Sequence, residues 1–136
     1  MTPDMQNTFD LTGKKAIVTG VGSLNGIGRY LAEGLLEAGA EVVLINRSDR
    51  VFQVEKHFKD QGYPVHALTA DLTDREQLRQ AFSDSMERLV GELDILVNCA
   101  GMQHRMPSID FTEEAWDKVR ALNLDSVFFL CQLGAR

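Results

Sequence analysis

Short apolar runs alternate with helical patterns four times in this chain, and that alternation limits the possible folds more than any other feature. Residues 14–19 (KKAIVT), 41–46 (EVVLIN), 64–69 (PVHALT) and 93–98 (LDILVN) have the length and β-branched content of buried strands. After the first run, residues 26–38 place Ile27, Leu31, Leu35 and Ala38 at helical spacing, and Gly39 stops the helix. Residues 49–61 form a polar helix candidate ended by Gly62. Thr73 is placed to cap a third helix, with Glu76 completing a capping box and Leu78, Phe82, Met86 and Leu89 forming the apolar face. Residues 101–111 read as a loop, and Thr112 caps a last helix that is still running, or just ending, at Arg136. Alternation with short connections implies right-handed crossovers and a parallel sheet covered on both faces. The expected class is α/β, a doubly wound β-α-β-α-β-α-β-α unit in a single domain over residues 1–136.

The stretch TGVGSLNGIG, residues 19–28, joins the first strand to the first helix. A helix N-terminus presents unpaired N–H groups and a partial positive charge, which suit a pyrophosphate. Glycines there let the backbone approach it without a Cβ in the way. A glycine turn opening an amphipathic helix after a strand is therefore the dinucleotide fingerprint in its required setting. Two registers compete: Gly20, Gly26 and Gly28, or Gly22, Gly26 and Gly28. Ser23 and Asn25 either add hydrogen bonds to a phosphate or only shape the turn.

Composition removes other classes. The net charge is -6 with no basic stripe, which argues against a nucleic-acid partner. No apolar run approaches the roughly 20 residues needed to span a bilayer, and the polar start MTPDMQNTFD lacks the regions of a signal peptide. Cys99 and Cys131 fall in apolar strand-like and helix-like stretches, so they are expected to be buried, reduced thiols in a cytoplasmic protein. The three histidines are dispersed, so no metal site is expected.

Several signatures, in order and spacing, resemble the short-chain dehydrogenase/reductase family in its cofactor-binding half. They are Leu11-Thr12-Gly13-Lys14 before the first strand, Thr19-Gly20 with Gly26-Ile27-Gly28, Asp71-Leu72 after the third strand, Asn98-Cys99-Ala100-Gly101 after the fourth, and Asn123 in the last helix. Together they cover nearly the whole chain. The resemblance implies a Rossmann-type fold, incomplete at its C-terminal side, and an NAD(P)-dependent oxidoreductase acting on a hydroxyl or keto group. The family loop is T-G-x-x-x-G-x-G; here two residues are added between Gly20 and Gly26. Extended loops also occur in enoyl-carrier-protein reductases, but those carry Ser and Ala where this chain has Gly26 and Gly28.

The second strand ends in Asn46-Arg47-Ser48 rather than in the acid that takes the ribose hydroxyls of NAD. Arg47 can meet a 2′-phosphate through a charge-assisted contact. NADP(H) is therefore favoured, with NAD(H) as the alternative; Arg29 and Arg50 are second candidates for the same region. The resemblance implies that Asp71 accepts from the adenine amine, that Leu72 adds backbone contact, and that Asn98, Ala100 and Gly101 border the cofactor ribose. Thr73 is expected to act as the cap, leaving Asp71 free. Asn123 lies inside an apolar stripe of Trp116, Val119, Val127 and Leu130, where a buried amide needs partners. In the resembling family this asparagine kinks the helix and holds a water of the proton relay, which makes it the candidate catalytic residue.

The family's Tyr-x-x-x-Lys pair is absent: Tyr30 is followed four on by Gly34, and Tyr63 by Ala67. The chain is thus expected to carry the cofactor half of an enzyme and to be inactive by itself. The stretch from LVNCAGMQHRMP to WDKVRALNLDSVFFLCQ is similar to the gluconate 5-dehydrogenase and 2-deoxy-gluconate 3-dehydrogenase branch. His104 and Arg105 are the candidate contacts to a sugar-acid substrate, since arginine suits a carboxylate. Two alternatives remain: a 3-oxoacyl-carrier-protein reductase, and an inactive nucleotide-binding module. The apolar end FFLCQLGAR suggests packing against later strands and a partner subunit, and the resemblance implies a homodimer or homotetramer for an intact chain.

Overall fold

The computed structural model describes residues 8–136; the opening residues, expected to carry no signal peptide, lie mostly outside that range. Four parallel strands form one sheet in the order β3-β2-β1-β4: β1 is Lys15–Thr19, β2 Glu41–Asn46, β3 Val65–Thr69 and β4 Ile95–Val97. Helices α1 (Ile27–Glu37), α2 (Val51–Asp60) and α3 (Arg75–Arg88) connect them. A short 3-10 turn at Ser108–Asp110 precedes α4 (Glu113–Arg120), which passes through a π-helical turn, Ala121–Asp125, into α5 (Ser126–Gly134).

Side chains alternate across a strand, so each strand feeds two cores. Ala16, Val18, Val42, Leu44, Val65 and Ala67 pack on one face against Ala32 and Leu36 of α1 and Val54 and Phe58 of α2. Ile17, Val43 and Ile45 face the other way, against Leu78, Ala81 and Leu89 on the α3 side and Leu130 of α5. The sheet is thus covered on both faces, as the doubly wound class requires.

The face that α1 buries differs from the expected one. Gly28, Ala32 and Leu36 are buried, whereas Ile27 and Leu31 are exposed. Small residues at the contact let α1 lie close to the sheet, and this rotates the larger side chains outward. The third helix is capped by Asp74, not Thr73: the Asp74 carboxylate accepts from the backbone N–H groups of Glu76 and Gln77. The cysteines are not buried as expected; Cys131 is exposed and Cys99 half-buried. Among the described residues no helix is long and apolar enough to cross a membrane.

Candidate functional site

The chain reverses direction across the sheet between β1 and β4, because β1 is flanked by β2 on one side and β4 on the other. Ligands of open α/β sheets bind at such a switch point, beyond the carboxyl ends of the strands. Here the two strand ends are locked together. The Ala100 amide donates to Thr19 Oγ1 at 3.1 Å, and the Gly20 amide donates to the Ile45 carbonyl at 2.8 Å.

The glycines of the turn have separate reasons to be glycine. Gly20 has φ +77°, and a Cβ there would lie 2.6 Å from the Ala100 backbone. A Cβ on Gly28 would lie 2.7 Å from the Gly20 carbonyl oxygen, and one on Gly22 would press on the Asn46 amide. A Cβ on Gly26 meets only Ser23, at 3.6 Å. Protein packing thus explains Gly20 and Gly28, whereas a Cβ on Gly26 would make only ordinary contact, so packing does not require glycine at the start of α1. The Gly26 amide donates to the Ser23 carbonyl, and the Asn25 amide donates to Ser23 Oγ at 3.1 Å. Ser23 therefore closes the lengthened loop on itself.

A cleft of about 400 Å³ opens at this point. Its floor is built from Gly20, Gly22, Ser23 and Gly26. Asn46, Arg47, Asp71 and Leu72 line another part, and Ala100, Gly101 and Met102 a third. Cys99 and Leu122 also contribute, neither of which the sequence singled out as a site residue. Of the expected cofactor contacts, Asn25, Ile27, Gly28 and Asn98 do not line the cleft. Ile27 is 75% exposed and Gly28 is buried in packing. Asn98 donates through Nδ2 to Cys131 Sγ at 3.4 Å, and its Oδ1 is buried without a partner among the described residues.

Asp71 is held as a carboxylate, its pKa below the usual range. The Thr73 hydroxyl donates to it at 2.6 Å and lowers the pKa most; partial burial opposes this, and the Thr73 amide and the charge of Arg47 add smaller lowering effects. Asp71 is therefore not left free by Thr73, as expected from the capping argument; one of its oxygens is tied to Thr73. Arg47 itself makes no ion pair among the described residues and stands in the field of Asp71. β2 ends in Asn46 rather than an acid, and the Asn46 amide donates to the carbonyl and hydroxyl of Ser48.

Asn123 is exposed rather than buried, and Trp116, expected on its stripe, is 61% exposed. The Asn123 side chain acts as a backbone mimic. Its Oδ1 accepts from the Met102 amide and its Nδ2 donates to the Met102 carbonyl, both at 2.9 Å. It sits at the centre of the π-helical turn and pins the segment after β4 to the helix. His104 and Arg105 are exposed on the 101–111 segment; His104 packs edge-on against Phe111 at 5.3 Å. Neither lines the cleft. His104 instead borders a smaller depression with Thr112, Glu114 and Lys118.

Strand order and two-sided helix cover together define a doubly wound, Rossmann-like α/β domain. The family model described as short chain dehydrogenase matches residues 14–136, and the chain belongs to that family. Gluconate 5-dehydrogenase of Gluconobacter oxydans is 37% identical over 135 residues, covering 98% of this chain and 50% of its relative. The 2-dehydro-3-deoxy-D-gluconate 5-dehydrogenase of Dickeya dadantii is 40% identical over 130 residues, covering 96% and 50%. Among solved structures, a gluconate 5-dehydrogenase from Burkholderia cenocepacia in complex with NADP and tartrate is 38% identical. It superposes with a TM-score of 0.87 over 97% of this chain and 51% of that one. The gluconate-dehydrogenase branch expected from the sequence is the branch these relatives name. The chain spans about half the length of the relatives it matches.

Proposed function

We propose that this chain supplies the NADP(H)-binding half of an oxidoreductase that interconverts a hydroxyl and a keto group on a sugar acid. The carrying observation is the cleft at the switch point, open above Gly26 and bordered by an unpaired Arg47 with no acid at the end of β2. The cradle fits a dinucleotide. Gly26 leaves room for a pyrophosphate at the start of α1, Asp71 offers an ionised acceptor for an adenine amine, and Ala100 and Gly101 leave space beside a ribose. Arg47 would meet the 2′-phosphate by a charge-assisted contact. When bound, the nicotinamide supplies the hydride. The naming of NADP with the Burkholderia cenocepacia relative supports this cofactor, and the gluconate names of the relatives support a sugar-acid substrate.

Asn123 acts here as a positioning residue. With both amide atoms bonded to Met102, it fixes the 101–111 segment that carries His104 and Arg105 against the helix. The experiment is a fluorescence titration with NADPH and NADH. Arg47→Asp should weaken NADPH binding by tenfold or more and leave NADH binding within about twofold, since one charge-assisted contact is worth roughly 1.5–3 kcal/mol. Equal losses for both cofactors would refute the assignment of Arg47.

A further inference from the structure

Three arginines gather at a place that the cofactor cleft does not use. Arg75 and Arg79, one turn apart on α3, share a pocket of about 230 Å³ with Arg136, just beyond α5. Gln132 adds an amide to the same pocket, and Phe129 and Leu133 form part of its wall. No aspartate or glutamate lines it. Asp74, the acid next to Arg75 in sequence, spends its carboxylate capping α3. None of the three guanidinium groups makes an ion pair among the described residues. This holds in a chain with 20 acidic and 14 basic residues, where a surface arginine has acids to choose from.

Arg75 is also held in place. Its guanidinium carbon stands 4.5 Å from the centroid of the Phe129 ring, a cation–π arrangement that ties α3 to α5. A guanidinium so anchored loses less freedom when it grips a ligand, and its planar fork matches the oxygens of a phosphate. We infer that this pocket binds the dianionic phosphate group of a small phosphorylated metabolite, bridging α3 and α5 on the face of the sheet away from α1. The small volume favours a small molecule over an extended polyanion.

The test is thermal unfolding of residues 1–136, titrated with sodium phosphate against sodium chloride at matched ionic strength, and with glucose 6-phosphate against glucose. Phosphate and glucose 6-phosphate should each raise the midpoint in a saturable way, by about 5 °C at ten times the dissociation constant. The double variant Arg75→Gln/Arg79→Gln should lose that rise, and Arg136→Gln or Arg79→Gln alone should reduce it, while NADPH titration is unchanged in each. Gly26→Ala should keep the rise, which separates this pocket from the glycine turn. No rise above chloride, or a full rise retained in the double variant, would overturn the site. Binding to phosphatidylglycerol vesicles without a response to either free phosphate would overturn the choice of ligand.

Discussion

Gly26→Ala separates the two jobs that glycine performs in the turn before α1. Gly26 is the N-cap of α1, with φ -87° and ψ 158°, a conformation open to alanine. The added methyl meets only Ser23, at 3.6 Å, which is ordinary contact. Restricting the unfolded chain gains about 0.4–1 kcal/mol, and alanine is a poorer N-cap than glycine by roughly 0.5–1 kcal/mol. These nearly cancel, so the midpoint of thermal unfolding should move by less than about 4 °C. Gly20→Ala is the contrast. Left-handed backbone costs about 1–2 kcal/mol for a residue with a Cβ, and φ at Gly20 is +77°. Its Cβ would stand 2.6 Å from backbone atoms of Ala100, which no rotamer change relieves, at roughly 1–3 kcal/mol more. The midpoint should fall by about 7 °C or more. If the space above Gly26 receives the pyrophosphate, Gly26→Ala should weaken NADPH binding at least about tenfold while folding is preserved. Differential scanning calorimetry and NADPH fluorescence titration on the same preparations read both quantities. A Gly26→Ala protein that binds NADPH like the parent would refute the reasoning and move the phosphates to the Gly22 register.

Asn123→Ala removes both bonds to the Met102 backbone, and should cost roughly 1–2 kcal/mol in urea unfolding; a midpoint equal to the parent's would show that the pair contributes nothing. Acid should destabilise the fold through Asp71 and Glu41. Burial raises Glu41, but hydrogen bonds from Lys15 and His66 outweigh it, and both carboxyls are held below their ordinary values of 3.8 and 4.5. Groups depressed on folding stabilise fully above those values and lose the contribution as pH falls through the folded ones. Urea midpoints should therefore be flat near neutrality and drop below about pH 4, and a flat curve down to roughly pH 3 would contradict it. The 136-residue chain should not oxidise NADPH with 5-ketogluconate or a 3-oxoacyl thioester over multiple turnovers, since a positioned proton donor is worth roughly 10²–10⁴-fold; sustained turnover by pure protein would reveal a donor other than the absent Tyr-x-x-x-Lys.

The strands were legible because a strand buried on both faces is a continuous apolar run, and all four fall where the runs lie. What escaped the sequence were choices made between neighbours. Periodicity marked Ile27 and Leu31 as the buried face of α1, but the sheet selected Gly28 and Ala32, because small residues permit a closer approach. In Asp71-Leu72-Thr73-Asp74 two adjacent residues can cap α3. Thr73 is taken by Asp71, which leaves the cap to Asp74. The last helix is interrupted at Asn123, where the resemblance implies a kink, and the interruption is a π-helical turn, a form the sequence does not specify. Its one signal was Asn123 among apolar neighbours, and the inference drawn from it, burial, was wrong: the amide is satisfied at the surface by Met102. At the site, motif spacing pointed to the residues that line the cleft, including Gly20, Gly26, Arg47 and Asp71, but not to the direction in which Asn98 turns.

The two added residues in the turn are absorbed locally. Gly20 is fixed against Ala100, and Gly28 is fixed against the Gly20 carbonyl, so the end of β1 and the start of α1 hold each other at a set distance. An insertion between two fixed points can only bulge outward. Val21 stays fully buried, while Ser23, Leu24 and Asn25 are exposed, so the bulge is the 23–25 segment. The Ser23 hydroxyl and carbonyl accept from the Asn25 and Gly26 amides, which uses the loop's own donors and stiffens the bulge. Gly26 thereby keeps its place at the head of α1, and a turn two residues longer than the family pattern still presents the same helix N-terminus to the cleft.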